Sequence, residues 1–296
     1  MKGFAYLSAD LVLGLSWSFL ASSCVLIQLF PQQLNFISRH GKTRSVSTLK
    51  SSAYSHGTFD RFVRAVSEWN VPKSYFIHMY LVGFVGSMLA LFYDAGVGSI
   101  SWKGGFMGPN MVPLCLFFVH VSRRLLECCF MTDFGSSVMH VFGYAVGILH
   151  YILAPLTLVS RAEDIIDTKD AHGLGWFGTC VVVFFLVCNA CQFYFHKYFY
   201  NLKVRARRLR KNEYSFPHGF GFDSVCCPHY TAECCLYICL WLLQPRQLST
   251  ACMGVWVGVN LATVAGEHWR WYNESFPEQS ARSRAQGWKR IWPGVY

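Results

Sequence analysis

The chain has 296 residues, of which 53% are hydrophobic, 17% aromatic and only 14% charged. Soluble domains carry a charge on about a quarter of their residues, so this composition excludes an ordinary soluble globular protein. The formal net charge of +10 belongs to loops between apolar runs. These loops lack the interleaved aromatic residues of a soluble nucleic-acid-binding face, which argues against a nucleic-acid partner.

Largely uncharged runs follow one another along the chain, and several approach the ~20 residues that cross a bilayer core. They occupy residues 4–30, 75–93, 110–130, 138–159, 174–195, 231–243 and 250–266. The first run is too long for a cleaved signal peptide and has no small-residue cleavage site before Pro31. We therefore predict an all-α integral membrane protein, a bundle of seven transmembrane helices, or six if one of the two short last runs does not cross.

The positive charges predict how this bundle is oriented. Of the 26 Lys and Arg residues, 19 lie in residues 31–74, 196–230 and the tail from 267, all on one side of a seven-span bundle. The positive-inside rule then places the N-terminus in the lumen and the C-terminus in the cytosol. We interpret residues 1–296 as one membrane domain with a polar cytosolic loop at 31–74, a cytosolic loop at 196–230 that caps the bundle, and a cytosolic tail at 267–296.

Thirteen cysteines raise the question of disulfides or a metal. Most lie inside the runs or on the cytosolic side, where thiols stay reduced. Adjacent residues such as Cys226 and Cys227 do not readily share one tetrahedral ion, and the pair Cys188 and Cys191 has no second pair at zinc-site spacing. We therefore interpret the cysteines as small packing residues and predict no metal site.

The third run contains the pattern HxxRRxxE, formed by His120, Arg123, Arg124 and Glu127. Spacings of three and four place these residues on one side of a helix. Burying a charge at mid-membrane costs ~3 kcal/mol or more, so the pattern needs a reason. It indicates a structural Arg–Glu pair, a polar stripe that faces a ligand cavity, or both.

Two further helix ends carry polar residues. Pro72 is expected to begin the second helix, with His78 in its first turns, where a lone histidine is more typical of an interfacial hydrogen bond than of catalysis. Near the end of the fifth run, Gln192, His196 and Lys203 share one helical face. That face is suited to phosphate or ribose, but an aromatic-belt helix end with snorkelling lysines remains the alternative.

Residues 215–233 read SFPHGFGFDSVCCPHYTAE and follow a basic run. Pro217 and Gly219 predict a turn, and Pro228 predicts the start of a helix with Glu233 about one turn in. Glu233 is suited either to stabilising the helix N-terminus or to a ligand. No glycine-rich dinucleotide fingerprint or P-loop is present in the sequence, so a soluble-type nucleotide fold is excluded.

Four segments in this order resemble the steroid 5α-reductase family and, within it, the polyprenol (polyprenal) reductase branch. They are WNVPKSYFIHMY at 69–80, HxxRRxxE at 120–127, the Gln-His-Asn-Leu-Lys pattern within 190–203 and the Pro-Gly-Phe-Pro-His-Tyr-Glu pattern within 216–233. The resemblance implies a seven-helix, multi-pass enzyme of the endoplasmic reticulum membrane that uses NADPH. It also implies reduction of the α-isoprene double bond of a long-chain polyprenol or polyprenal, which is a step of dolichol synthesis for protein N-glycosylation.

The same resemblance implies the residues of the site. The cofactor contacts carried over by position are Gln192, His196, Asn201, Lys203, Tyr214, His229, Tyr230, Glu233, His268 and Tyr272. The candidates for stabilising the oxyanion and moving the proton are His120, Glu127, His78 and Tyr80. Among them we favour His120, with Glu127 as its orienting partner.

Departures from the family pattern keep alternatives open. Lys203 stands where the family usually has Arg and loses the bidentate fork, unless a nearby arginine of the basic run substitutes. Asn70 and Val121 stand where steroid reductases have the Glu and Tyr that hold the steroid carbonyl, which argues against a 3-keto steroid. The alternatives are a trans-2-enoyl-CoA or 3-oxo-steroid reductase, and a non-catalytic lipid-binding relative.

Overall fold

The structure is a computed structural model and describes residues 2–30, 34, 37, 65–101, 111–159, 175–208 and 214–292. Most of the predicted 31–74 loop and the acidic segment at 160–173 lie outside these residues. Side chains are described from Ser8 onward in the first helix and as far as Ala95 in the second.

Long helices make up nearly all of the described chain, which confirms the all-α prediction. In chain order they are α1 (Lys2–Leu29), α2 (Phe76–Ser101), α3 (Met111–Phe130), α4 (Val141–Val159), α5 (Trp176–Arg208), α6 (Pro228–Leu243) and α7 (Leu248–Ser275), followed by the short α8 (Pro277–Ala285). Strands β1 (Asn70–Pro72) and β2 (Val138–His140) form one antiparallel ladder, in which Asn70 pairs with His140. The second helix therefore begins at Phe76, after a 3₁₀ turn over Lys73–Tyr75, and not at Pro72.

Five of these helices are long and apolar enough to cross a bilayer. The candidate spans are Ser8–Leu29, Lys73–Ala95, Val141–Val159, Trp176–Arg208 and Leu248–Ser275. Helix α3 differs because it carries Arg123, Arg124 and Glu127, and α6 differs because it has only 16 residues. Large apolar side chains such as Phe19 and Phe92 point outward, at 72% and 69% exposure, as lipid contact requires. The chain is a membrane protein, and seven crossings remain a prediction.

The bundle is built from pairs of neighbouring helices around α4 and α6. Helix α1 packs along α7, α5 packs along α6, and α2 packs against both α3 and α4. Trp17 of α1 is fully buried and its indole donates to the Thr157 hydroxyl of α4 at 2.9 Å. Asp10 of α1 accepts the backbone N–H of Ser249 at 3.0 Å, which satisfies a free donor at the start of α7.

The residues after α7 fold back over the start of α6. The Cys226 and Cys227 amides donate to the carbonyls of Lys289 and Arg290, at 2.7 and 3.1 Å. The Trp288 indole donates to the Phe222 carbonyl at 2.9 Å. We call residues 216–227 together with 276–292 the C-terminal cap. Its apolar core is formed by Phe216, Cys226, Cys227, Trp288 and Ile291 together with Ala265 and Tyr272 from the end of α7.

The turn predicted before α6 is present and depends on two glycines. Gly219 and Gly221 have φ of +81° and +77°, a region that side chains other than glycine rarely adopt. A Cβ atom on Gly221 would also lie 3.0 Å from the Phe195 ring and 3.1 Å from Pro228. The turn therefore sets the loop tightly against the end of α5, and Pro228 starts α6 as the sequence predicts.

Candidate active site

Helices α2, α3, α5 and α6 bring a set of polar side chains together inside the bundle. We call this set the polar centre. It comprises Tyr80, His120, Arg123, Arg124, Glu127, Asn189, Gln192, His196 and Glu233. Each is at most about one-fifth exposed. Buried charges are tolerated when they are paired, and the Arg–Glu pairing predicted from the HxxRRxxE pattern is present. A role of this stripe in binding a ligand stays a prediction.

Glu127 is the carboxylate that holds the two arginines of α3. Its two oxygens accept from Arg123 Nη1 and Arg124 Nη1, and Oε2 also lies 2.6 Å from His196 Nδ1. Arg124 Nη1 lies 2.6 Å from the same His196 nitrogen, which can serve only one of the two groups. Because Arg124 already pairs with Glu127, we assign the Nδ1 proton of His196 to a bond with this carboxylate.

Glu233 of α6 is held by a different set of groups. Gln192 Nε2 donates to Glu233 Oε2, while Gln192 Oε1 accepts from Arg123 Nη2. His120 Nε2 lies 3.3 Å from Glu233 Oε1. Helix α6 begins at Pro228, its N-cap residue Cys227 makes no side-chain cap hydrogen bond, and no acidic residue lies in its first turn. Glu233 therefore does not cap its own helix, and it serves the polar centre instead.

The predicted pairing of His120 with Glu127 is wrong. These residues are seven apart on one helix, and the bonds of Glu127 go to Arg123, Arg124 and His196. The carboxylate next to His120 is Glu233, from another helix. Helical spacing indicates which face a residue occupies, but it does not indicate which neighbouring helix supplies the partner.

The protonation of His120 follows from its neighbours. Arg123 Nη2 lies 3.3 Å from His120 Nδ1, and a guanidinium can only donate, so Nδ1 is an acceptor. The ring proton is then on Nε2, which is buried and makes no hydrogen bond of acceptable geometry within the described part of the chain. His120 thus presents an N–H donor that has no well-aligned acceptor among the described residues. It lies beside Glu233, where α3, α5 and α6 meet.

Tyr80 is the candidate from α2 that reaches the polar centre. Arg124 donates to its hydroxyl from Nη2 at 2.8 Å and from Nε at 3.2 Å. His78, two residues earlier, lies outside the centre. Its ring contacts Tyr75 at 4.5 Å, and its Nδ1 is 3.3 Å from the Tyr144 hydroxyl.

The predicted cofactor residues separate into those at the polar centre, those beside it and those away from it. Gln192, His196 and Glu233 belong to the centre. His229 packs beside it, with its ring 5.8 Å from that of His196, and the Tyr230 hydroxyl lies 3.4 Å from His268 Nε2. These six residues line the junction of α5, α6 and α7.

The other predicted cofactor residues lie elsewhere. Tyr272 is buried in the core of the C-terminal cap, and Tyr214 lies edge-on to Trp271 with the ring centroids 5.2 Å apart. Asn201 is exposed on α5. Lys203, at the cytosolic end of α5 in our prediction, lies 3.3 Å from the Asp133 carboxylate, which Arg207 also contacts.

An open cavity of about 520 Å³ lies between α3 and α5, on the outer side of the polar centre. It is lined by Phe118, Val119, Ser122, Arg123, Leu126, Glu127, Phe130, Met131 and Phe193. Its polar lining residues are Ser122, Arg123 and Glu127, and the others are apolar. The cavity is therefore an apolar groove that reaches the polar centre at Arg123 and Glu127. Val119, Leu126 and Phe130 are 48%, 57% and 77% exposed in the absence of lipid.

Sequence reasoning missed a second buried group of polar residues, which lies one turn further along α6 than Glu233. His150 of α4 hydrogen-bonds both to Tyr237 of α6 and to Trp256 of α7, and the three side chains are 8%, 2% and 4% exposed. The signal in the sequence was His150, an ionisable residue in the middle of an uncharged run. Within the described residues, no group of three or more His, Cys, Asp or Glu side chains is placed to hold a metal ion.

Comparison with known proteins identifies a family match over the second part of the chain. Residues 168–287 match the family model described as 3-oxo-5-alpha-steroid 4-dehydrogenase. The chain carries a steroid 5α-reductase family domain. The matched range includes Gln192, His196, Glu233 and His268, so the α5 and α6 side of the polar centre falls within the family domain. The predicted resemblance to this family is confirmed, and the family is one of oxidoreductases.

Curated relatives extend the similarity beyond this domain. The chain is 26% identical over 251 residues to a polyprenal reductase of Caenorhabditis elegans, which covers 74% of the chain and 79% of the relative. It is 26% identical over 278 residues to polyprenal reductase 1 of Arabidopsis thaliana, covering 77% and 82%. It is 27% identical to the polyprenal reductase of Homo sapiens over 202 residues, covering 59% and 63%.

Proposed function

We propose that this protein is a membrane-bound polyprenal reductase, an enzyme that reduces the α-isoprene double bond of a long-chain polyprenoid with NADPH on the route to dolichol. The observation that carries the proposal is the buried His120 Nε2–H, which lies 3.3 Å from Glu233 Oε1 and makes no hydrogen bond of acceptable geometry among the residues that the structure describes. The family domain and the named relatives support the same chemistry. The proposed location is the endoplasmic reticulum membrane, with a lumenal N-terminus and a cytosolic C-terminus.

The residues present fit a nicotinamide cofactor. Gln192, Glu233 and the Tyr230–His268 pair offer amide, carboxylate and hydroxyl groups for the nicotinamide and ribose. Lys203 and Arg207 lie further along α5 and offer cations for the phosphates, although both contact Asp133. The other carried-over cofactor residues, His196, Asn201, Tyr214, His229 and Tyr272, stay proposals. When bound, the reduced cofactor supplies a hydride to the β-carbon of the substrate.

The chain's own residues supply the remaining chemistry. Reduction of an α,β-unsaturated aldehyde places negative charge on the carbonyl oxygen, and a fixed donor in a water-poor site stabilises that charge. His120 Nε2–H is oriented for this role, because Arg123 fixes the ring tautomer from the other side. Glu127 keeps the Arg123 and Arg124 charges compensated. The catalytic candidates thus become His120 as donor, Glu127 as positioning residue and Tyr80 as a support of Arg124.

The apolar groove between α3 and α5 suits the isoprenoid chain. A polyprenoid resides in the bilayer, and this groove opens on the outer face of the bundle and ends at Arg123 and Glu127. A chain lying along Leu126 and Phe130 would bring its oxygen-bearing end towards the polar centre. A steroid carbonyl would lack the Glu and Tyr clamp of steroid reductases, since Asn70 and Val121 occupy those positions.

The test is a substrate comparison on purified protein in detergent or nanodiscs. Polyprenal, polyprenol, a 3-oxo-4-ene steroid and a trans-2-enoyl-CoA are each supplied with NADPH or NADH, and the products are identified by mass spectrometry. The proposal expects reduction of polyprenal with a preference for NADPH. Reduction of the enoyl-CoA alone would establish the second enzyme class instead. Failure to bind NADPH at all would favour a non-catalytic lipid-binding protein.

A further inference from the structure

Below the His120–Glu233 pair lies Tyr237, one helical turn further along α6. Four residues of helix span about 6 Å, so Tyr237 lies on the same face as Glu233 but deeper in the bundle. Its ring centroid is 6.5 Å from the ring centroid of His120 and 6.4 Å from that of Phe117, edge-on to both. The phenol is thus a direct neighbour of the proposed oxyanion donor, on the side away from the C-terminal cap.

The proton positions in this group follow from the chemistry of tryptophan. The Trp256 indole Nε1–H lies 3.1 Å from His150 Nδ1, and an indole nitrogen can only donate. His150 Nδ1 is therefore an acceptor, so this ring is neutral and carries its proton on Nε2. That Nε2 lies 2.8 Å from the Tyr237 hydroxyl oxygen. His150 therefore donates to Tyr237, and the hydroxyl does not use its own hydrogen in this bond.

The hydroxyl hydrogen of Tyr237 is thus unassigned. Within the described residues the Tyr237 hydroxyl has no hydrogen bond other than the one with His150. A buried O–H next to a polar centre that lacks an acceptor loses a favourable interaction. An incoming substrate would remove that deficit, because a developing carbanion or oxyanion is an acceptor.

Resting on the proposed function, we propose that Tyr237 is the proton donor of the reaction and that His150 and Trp256 are its positioning residues. A hydride from the reduced nicotinamide forms the new C–H bond at the β-carbon, and the electrons of the double bond form an enolate. The Tyr237 O–H bond then breaks, and its proton forms the C–H bond at the α-carbon. The resulting phenolate is stabilised by the His150 Nε2–H and takes a proton from solvent after product leaves.

This division of roles separates two donors that sequence reasoning could not distinguish. His120 stabilises the carbonyl oxygen, and Tyr237 supplies the proton to carbon. Two different atoms of the substrate need a donor at the same time, and the two rings are neighbours on α3 and α6. Tyr80 is less suited to the second role, because its hydroxyl accepts two bonds from Arg124 and lies at the end of a charged network.

The test is Tyr237→Phe, which keeps the ring and its contacts with Phe117 and His120. It is assayed on whichever α,β-unsaturated carbonyl substrate the wild-type protein reduces. General acid catalysis contributes about 100-fold or more, so kcat is expected to fall by that factor while the NADPH Kd and the melting temperature stay at wild-type values. The matched control is Tyr144→Phe, a tyrosine on the same helix α4 whose hydroxyl lies 3.3 Å from His78, outside the polar centre. This control is expected to stay within about twofold.

His150 variants distinguish a catalytic relay from simple packing. His150→Gln keeps an N–H donor for the Tyr237 oxygen, and His150→Phe keeps ring volume without a donor. The proposal expects the Gln variant to retain much more of kcat than the Phe variant. A Tyr237→Phe protein that reduces substrate within about threefold of wild type would overturn the proposal and leave the reductase function intact. A wild-type protein that reduces polyprenal poorly but enoyl-CoA well would contradict only the substrate, since Tyr237 is tested equally well on the second substrate.

Discussion

The polar centre and the C-terminal cap are both buried, and both received residues from the same family-based prediction, yet they are built in opposite ways. In the polar centre, Glu127 contacts three side chains and Glu233 two, and charged groups from α3 face amides and the His196 ring of α5. In the cap, Tyr272 and Trp288 pack with apolar neighbours, and the tail is fixed by backbone hydrogen bonds.

We propose that the polar centre is the region that does chemistry. Ion pairs of this kind stabilise a bundle no better than apolar residues of similar volume would, so stability alone does not account for them. The cap, by contrast, gains its stability from burial of aromatic rings and needs no charge. We therefore expect substitutions in the polar centre to remove activity, and to lower stability as well where they leave a buried charge unpaired. Substitutions in the cap should lower stability and leave the turnover of the folded protein unchanged.

The largest effect is expected for Glu127→Gln, which leaves Arg123 and Arg124 buried with their compensating charge removed. Breaking a buried pair costs about 3–5 kcal/mol, so the melting temperature and the yield of folded protein should fall sharply. Thermal unfolding in detergent measures the effect, with the exposed Glu278→Gln as control. A Glu127→Gln protein as stable as its control would mean that water already compensates the arginines, and the polar centre would not be the buried network described above.

The second effect concerns the cap. Trp288→Ala removes a ring that stacks on Trp269 at 4.6 Å and is 3% exposed, and truncations of this kind cost about 3–5 kcal/mol. We expect the free energy of unfolding to fall by about 3 kcal/mol, the lower end of this range, because the tail lies at the surface. The kcat of the protein that remains folded should be unchanged. The measurement is thermal unfolding together with a single-turnover assay. A normal melting temperature with lost turnover would contradict this prediction, because the cap would then serve activity and not stability.

A smaller effect is expected from filling the groove between α3 and α5. Leu126→Trp should raise KM for a long polyprenal by about tenfold, equivalent to ~1.4 kcal/mol, and leave the KM of a ten-carbon enal unchanged. Leu81→Trp on α2 is the matched control, since Leu81 is 48% exposed and does not line this cavity. Equal changes for the long and the short substrate would show that the groove does not hold the chain.

The smallest effect concerns the ion pairs of Asp133, between α3 and β2. Burial opposes ionisation of this carboxyl, but Lys203 and Arg207 outweigh it and lower its pKa below the usual value. A lowered folded-state pKa adds stability above the unfolded pKa of about 3.9, and this stability is lost as the pH falls through the folded value. Asp133→Asn should therefore melt slightly lower than wild type at pH 7, by less than ~1 kcal/mol, because Lys203 and Arg207 are 42% and 65% exposed. The difference should shrink as the pH falls below the unfolded value and through the folded-state pKa, and a difference that stays constant with falling pH would contradict this origin.

Much of the fold follows from the sequence because apolar runs and helix-starting prolines are local signals. The seven long described helices correspond to the seven predicted runs, and Pro228 begins α6 as expected. The beginning of α2 was misplaced because the chain around Pro72 joins a ladder with β2, and that partner lies some seventy residues away. Local patterns contain no information about such a distant pairing.

The sequence predicted which helix face each site residue occupies, but it did not predict which side chain from another helix it contacts. Gln192, His196 and Glu233 converge as the motifs imply, but Glu127 pairs with the arginines, and His120 faces a carboxylate from another helix. Tyr272 matched the family by position, yet it packs inside the cap because the long tail covers it. Tyr237 carried no motif, and its role depends on His150 and Trp256, which only the packing of α4, α6 and α7 brings together.

The most direct test of the central claim follows the transferred hydrogens. Purified protein is given polyprenal and NADPH carrying deuterium at the transferable position of the nicotinamide, and the product is analysed by NMR. The account predicts an α-saturated product with deuterium at the β-carbon and a solvent-derived proton at the α-carbon. Deuterium on the carbonyl carbon, with the double bond intact, would contradict it, because the protein would then reduce the aldehyde and not the alkene.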